Sequence, residues 1–215
     1  MREILRWRRE RRGLLTSNGA ESGGFVKSQS GLARPDLQLH FVIGMVDNHM
    51  RTMHLGHGLS LHVCVLRPKS RGTVRLAGGD MREPPVIDPR FLSESEDLAG
   101  MVRGFRLARR ILDAPQFAPF GPRPLYADEA RAETDSEIEQ AIRMRADTIY
   151  HPVGTCRMGS DAGSVLDPQL RVRGVEALRV VDCSVMPTLI GGNTNAPAIM
   201  IAEKAADMIR AGEGR

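Results

Sequence analysis

Aromatic residues are scarce in this chain of 215 residues: one tryptophan, two tyrosines and six phenylalanines make up 4%. Single-stranded nucleic acid is usually held by aromatic stacking inside a basic groove. No nucleic-acid motif is present either, so such a partner is not expected despite a net charge of +4. The excess charge is local, because Arg2–Arg12 holds six arginines against two glutamates. Cysteine is also rare. Cys64, Cys156 and Cys183 lie far apart and form no CxxC pair. This predicts free thiols in a reducing compartment, hence a cytoplasmic location, rather than a disulfide framework. No apolar run approaches the roughly 20 residues of a membrane span. The start of the chain lacks the apolar stretch of a secretory signal, and Glu3 and Glu10 argue against an Arg-rich presequence.

What remains is an ordinary soluble composition, 41% hydrophobic and 26% charged, sufficient for one large domain or two small ones. Residues 1–12 read as a basic, partly exposed helix with Ile4, Leu5 and Trp7, and Gly13 to Gly19 reads as loop. Period-two alternation predicts strands at Leu37 to Val42 and Leu59 to Leu66, with a shorter one at Thr73 to Leu76. No helix-length crossover separates the last two, so an antiparallel sheet is expected. Glu94 to Leu112 places Leu98, Met101, Val102, Phe105 and Leu112 on one helical face. Thr134 followed by Glu137 is a capping-box pattern, opening a helix with Ile138, Ala141 and Ile142 inward. Leu178 to Val181 predicts a short β-branched strand ending at Asp182. A last helix is expected from about Ala198 to Ile209, apolar at Ile201, Ala205 and Met208.

Two stretches could carry chemistry. In Tyr150-His151-Pro152-Val153-Gly154-Thr155-Cys156-Arg157-Met158-Gly159, the proline holds the histidine in an extended conformation. Alone it is a weak signal, since a single histidine is more often structural than catalytic. In Val180 to Pro197, a strand ends in Asp182 and a Gly191-Gly192-Asn193-Thr194-Asn195 loop leads into a helix. Such places often receive polar cofactors, yet asparagines there are equally at home as helix caps. His49, His54 and His57 are loosely spaced, without cysteines or a carboxylate set, so no metal site is expected.

Taken together, these stretches resemble the C-terminal signature of the glucose-methanol-choline (GMC) oxidoreductases, nearest to the choline dehydrogenase and aliphatic alcohol dehydrogenase branch. Leu15-Thr16-Ser17-Asn18, Pro35-Asp36-Leu37-Gln38-Leu39, Pro68-Lys69-Ser70-Arg71-Gly72 and Ile87-Asp88-Pro89 agree in the same order, so the likeness runs from Gly13 to Ile209. It implies FAD as cofactor and oxidation of an alcohol by hydride transfer to the flavin. His151 matches the family's base; imidazole suits that task because it exchanges protons near neutral pH. Asn193 matches the second active-site position, where an amide holds the alcohol oxygen. Asp182, Cys183, Asn193 and Thr194 match positions beside the cofactor, although alanine or glycine is commoner than cysteine at 183.

The family's N-terminal dinucleotide fingerprint is absent: Gly19-Ala20-Glu21-Ser22-Gly23-Gly24 is not a GxGxxG turn and opens no helix. Family members are more than twice this long. The expected fold is therefore α+β, in two incomplete pieces. Residues 13–149 form an antiparallel-sheet substrate domain. Residues 150–215 form the C-terminal portion of an FAD-binding α/β domain, whose nucleotide-binding part is missing. The expected partner is a small-molecule alcohol, joined by a separate N-terminal FAD-binding chain in the case of a split enzyme, with contact to a membrane only through an electron acceptor. The alternative is a catalytically inactive fragment or one subunit of a split enzyme. His151 and Asn193 are expected to converge on one small-molecule position.

Overall fold

The structure, a computed structural model, describes residues 2–213. The chain forms two compact units. One comprises the residues through Val65 together with Leu98–Arg145; the other comprises Leu66–Asp97 together with the chain from Ala146 onward. The stretch 66–97 thus clusters with the C-terminal residues and not with the sheet before it, a division that differs from a single boundary near residue 149.

The first unit is built on a three-stranded antiparallel sheet in the order β1 (Ala20–Val26), β2 (Leu37–Val42), β3 (Ser60–Val65). Two of these strands stand where the alternation in the sequence predicts them, although Leu37, Gln38 and Leu39 of β2 are all buried. The third does not: Thr73 to Leu76 was expected to extend this sheet, and β1 takes that place. Its sequence, Ala-Glu-Ser-Gly-Gly-Phe-Val, has no clean period and two glycines, which disfavour strands. Pairing with β2 overrides that preference. A Cβ at Gly23 would lie 2.3 Å from the Leu39 carbonyl oxygen, so the close approach needs glycine.

Before the sheet lies α1 (Arg2–Glu10), with no buried residue. After it, α2 (Ser95–Leu112) brings Gly100 and Gly104 against the β2 and β3 side chains. A Cβ at Gly104 would meet Val63 Cγ1 at 2.6 Å and Leu37 Cδ1 at 3.4 Å. Gly104→Ala is therefore expected to destabilise this unit by about 1–3 kcal/mol through overpacking, despite alanine's better helix propensity. Urea denaturation checks this, and a stabilised variant would show that α2 can simply move outward.

A short helix α3 (Ala127–Arg131), not expected from sequence, precedes α4 (Asp135–Arg145). The capping box forms as read: Thr134 N donates to Glu137 Oε2 at 2.9 Å, and Glu137 N donates back to Thr134 Oγ1 at 3.3 Å. Ile138, Ala141 and Ile142 are buried. His54, one of the three clustered histidines, pairs with Asp47 at 2.7 Å. A hydrogen bond from Tyr126, followed by that from His54, lowers the Asp47 carboxyl below its usual range.

Burial pushes the Cys64 thiol on β3 up to about 11 from its usual value near 9. The folded state keeps its proton where the unfolded chain has lost it. Its contribution to stability is therefore complete below pH ~9 and disappears as pH rises towards ~11. Wild type should lose more stability between those limits than Cys64→Ala, as urea midpoints would show. Equal slopes would mean that the thiolate is accommodated without cost.

In the second unit, β4 (Thr73–Arg75) and β5 (Val86–Asp88) form an exposed two-stranded antiparallel ribbon. The N-terminal turn of α2 ends this segment at buried Asp97, whose carboxylate accepts from Lys69 N, Ser70 N and Ser70 Oγ at 2.8, 2.7 and 2.5 Å. The remaining core gathers Leu166, Leu170, Val185 and Met186 around Ile201 and Ala205 of α5 (Asn195–Glu213). The helix starts three residues before the expected Ala198, because Pro197 falls within its first turn, where a missing N–H costs no helical bond. The strand expected at Leu178 to Val181 is not formed. It contributes one isolated bridge, Arg171 to Arg179, and bonds from Val172 N to Leu178 O and from Val180 N to Leu170 O. A β-branched run becomes a strand only with a neighbour along its whole length. The helices and antiparallel sheets together make an α+β fold, as expected.

Candidate active site

The two stretches singled out in the sequence meet at the N-terminal end of α5. Cys156 N donates to Ser184 O at 3.1 Å and Met158 N donates to Val185 O at 2.9 Å. These bonds fasten the His151 stretch to the short turn 183–185, and Val185 and Met186 are in turn buried against α5. Tyr150 adopts φ 64°, a left-handed conformation, immediately before His151. For a bulky residue that costs on the order of 1–3 kcal/mol and persists only where the surroundings enforce it. Gly154, at φ 90°, makes the next bend and passes the Met186 carbonyl, 3.4 Å from where a Cβ would stand.

His151 and Asn193, 42 residues apart in sequence, come together. Asn193 Nδ2 lies 2.9 Å from His151 Nε2, and His151 Nδ1 lies 2.8 Å from Thr194 Oγ1. Thr194 is 7% exposed, whereas Asn193 is open to solvent and His151 half-buried. An amide nitrogen can only donate, so Nε2 acts as the acceptor. The geometry thus offers a proton acceptor and a neutral donor on one exposed patch. The other two expected site residues have structural partners. Asp182 caps the 183–185 turn by accepting from Ser184 N at 2.7 Å. Cys183 Sγ lies 3.9 Å from the Thr194 carbonyl oxygen.

Two participants escaped the sequence reading. One is the contact of the Thr194 hydroxyl with His151, since that residue was expected beside a cofactor and not against the imidazole. The other is Arg67, whose guanidinium packs so closely on Gly191 that a Cβ there would fall 1.8 Å from a guanidinium nitrogen. Nothing in the sequence links positions this far apart.

Residues 68–202 match the family model described as GMC oxidoreductase. The chain is 52% identical over 200 residues to an alcohol dehydrogenase [acceptor] of Pseudomonas putida, covering 93% of this chain and 36% of that protein. It is 43% identical over 192 residues to the mitochondrial choline dehydrogenase of Homo sapiens, covering 88% and 32% respectively. Among solved structures, a formate oxidase of Aspergillus oryzae, studied for modification of its FAD, superimposes with TM-score 0.82 at 26% identity, covering 98% of this chain and 41% of that one. The chain therefore spans about a third of the length of these curated relatives. With a family model matching more than half its length and the relatives agreeing over nearly all of it, this chain belongs to the GMC oxidoreductase family.

Proposed function

We propose that this chain carries the alcohol-binding side of an FAD-dependent oxidoreductase acting on CH–OH groups. The observation behind this reading is the approach of Asn193 Nδ2 to His151 Nε2, 2.9 Å apart on an exposed patch at the start of a helix. In this reading residues 13–149 make up most of a substrate domain, and residues 150–215 belong to the FAD-binding domain.

Nε2 of His151 takes the hydroxyl proton of the alcohol as the carbonyl forms. Asn193 donates its amide to the alcohol oxygen, where negative charge grows as that proton leaves, and it does so without itself carrying charge. Bound FAD would supply the acceptor for the hydride that leaves the same carbon. The proton and hydride together account for the two hydrogens lost between alcohol and carbonyl.

The donors present suit the ring end of a flavin. Asn193 exposes an amide, and the first turn of α5 presents backbone N–H groups that no carbonyl of the helix can satisfy. Thr194 directly precedes that turn and Cys183 Sγ lies 3.9 Å from the Thr194 carbonyl oxygen, while Asp182 caps the 183–185 turn. The sequence holds no Gly-rich turn to receive the diphosphate.

The chain by itself should accordingly purify without flavin absorbance. Supplied with FAD and the nucleotide-binding region of a relative, it should bleach flavin absorbance anaerobically when a primary alcohol is added. Flavin that binds but is reduced by no alcohol would overturn the enzymatic reading and favour an inactive fragment. Among the described residues no helix is long and apolar enough to cross a membrane.

A further inference from the structure

We propose that Thr194 is a positioning residue that, together with Asn193, holds His151 in the tautomer carrying its proton on Nδ1. The inference rests on the functional reading above, because it specifies how that site keeps its base ready.

Both ring nitrogens of His151 have a protein partner, Asn193 Nδ2 at 2.9 Å from Nε2 and Thr194 Oγ1 at 2.8 Å from Nδ1. The two contacts are not equivalent. The Asn193 amide nitrogen has no lone pair to offer, so it leaves Nε2 only the role of acceptor. A neutral imidazole carries one proton, which must then sit on Nδ1. The Thr194 hydroxyl can accept as well as donate, so it adapts to take that proton. One end of the ring is dictated by an amide and the other satisfied by a hydroxyl, and together they leave a single neutral tautomer.

The local sequence removes one competitor for this hydroxyl. Thr194 directly precedes α5, at the position where threonine normally caps a helix by accepting from the second or third helical amide. The third helical residue is Pro197, which has no amide hydrogen. The Thr194 carbonyl already accepts from Ala198 N at 2.9 Å, which fixes the backbone and aims the side chain. At 7% exposure the residue sits where water cannot readily replace it as a partner. A ring proton left unpaired there would carry a desolvation cost. In the functional reading, the alcohol takes the place of the Asn193 amide on an Nε2 that is already unprotonated, so no tautomer exchange precedes proton transfer. In metal sites too, the partner of one imidazole nitrogen sets the state of the other.

Nitrogen-15 NMR of the histidine side chains tests this on the full chain, without flavin or alcohol. In wild type, His151 should show a protonated Nδ1, an unprotonated Nε2, and a nuclear Overhauser contact between the Nδ1 proton and the Thr194 methyl group. Thr194→Val, close in shape but without the hydroxyl, should lose the single-tautomer signature, and Thr194→Ser should restore it. A wild-type ring protonated at Nε2, or an Nδ1 proton with no contact to Thr194, would overturn the proposal whether or not the valine variant folds. The same tautomer persisting in a folded valine variant would also overturn it. The functional reading fails separately: a correct tautomer in a protein that oxidises no alcohol leaves the Thr194 assignment standing.

Discussion

Replacing His151 with alanine is expected to lower kcat/KM for alcohol oxidation by about 10²–10⁴-fold, the range typical of losing a positioned general base. The protein to assay is the chain completed by its nucleotide-binding region and FAD. The loss should fall mainly on kcat if, as proposed above, the imidazole takes the hydroxyl proton in the transition state and contributes less to holding the ground state. The Asn193 amide, 2.9 Å away, would remain to bind the alcohol oxygen, which is why some activity should survive. Added imidazole should recover part of the rate by entering the space left behind. Steady-state kinetics with a dye acceptor would measure all three effects. A variant that retains flavin and oxidises alcohol at the wild-type rate would remove His151 from the mechanism.

Asp97→Ala should cost about 3–5 kcal/mol, the largest stability loss anticipated here. The carboxylate is 4% exposed and accepts three hydrogen bonds, from Lys69 N, Ser70 N and Ser70 Oγ. Bonds to a charged acceptor are worth about 1.5–3 kcal/mol each, and they do not add fully. Alanine leaves those donors in a part-buried place with no acceptor, which costs more than the bonds' net value. It also removes a negative charge from the first turn of α2, where the helix dipole favours one. Asparagine tests the charge separately: its carbonyl can still accept, but its NH₂ group faces a donor, so it should lie between wild type and alanine. Urea unfolding followed by circular dichroism at 222 nm gives the order. An alanine variant within 1 kcal/mol of wild type would mean that water satisfies these donors just as well.

The features visible in advance were those that depend on neighbours close in the chain. The Thr134/Glu137 capping box and the inward Ile138, Ala141 and Ile142 lie within two turns of helix, so spacing alone exposes them. The alternation in β2 and β3 is equally local. The glycine-bearing β1 was invisible because its reason for being a strand lies in Leu39, sixteen positions beyond Gly23. Leu178 to Val181 failed in the opposite direction. Its β-branched composition is right, but the residues beside it reach only far enough for one bridge.

By itself, then, the sequence determined the residue types able to exchange a proton and hold an oxygen, and their places at His151 and Asn193. It also determined that a helix follows them, though not where that helix begins. Tertiary structure alone decided that these residues stand 2.9 Å apart, that Thr194 closes the other side of the imidazole, and that Arg67 lies against Gly191. The reason is physical. A side chain's chemistry and its local backbone preference travel with the residue, whereas a hydrogen bond spanning 42 positions exists only once buried Val185, Met186 and Ile201 have drawn both stretches onto one core.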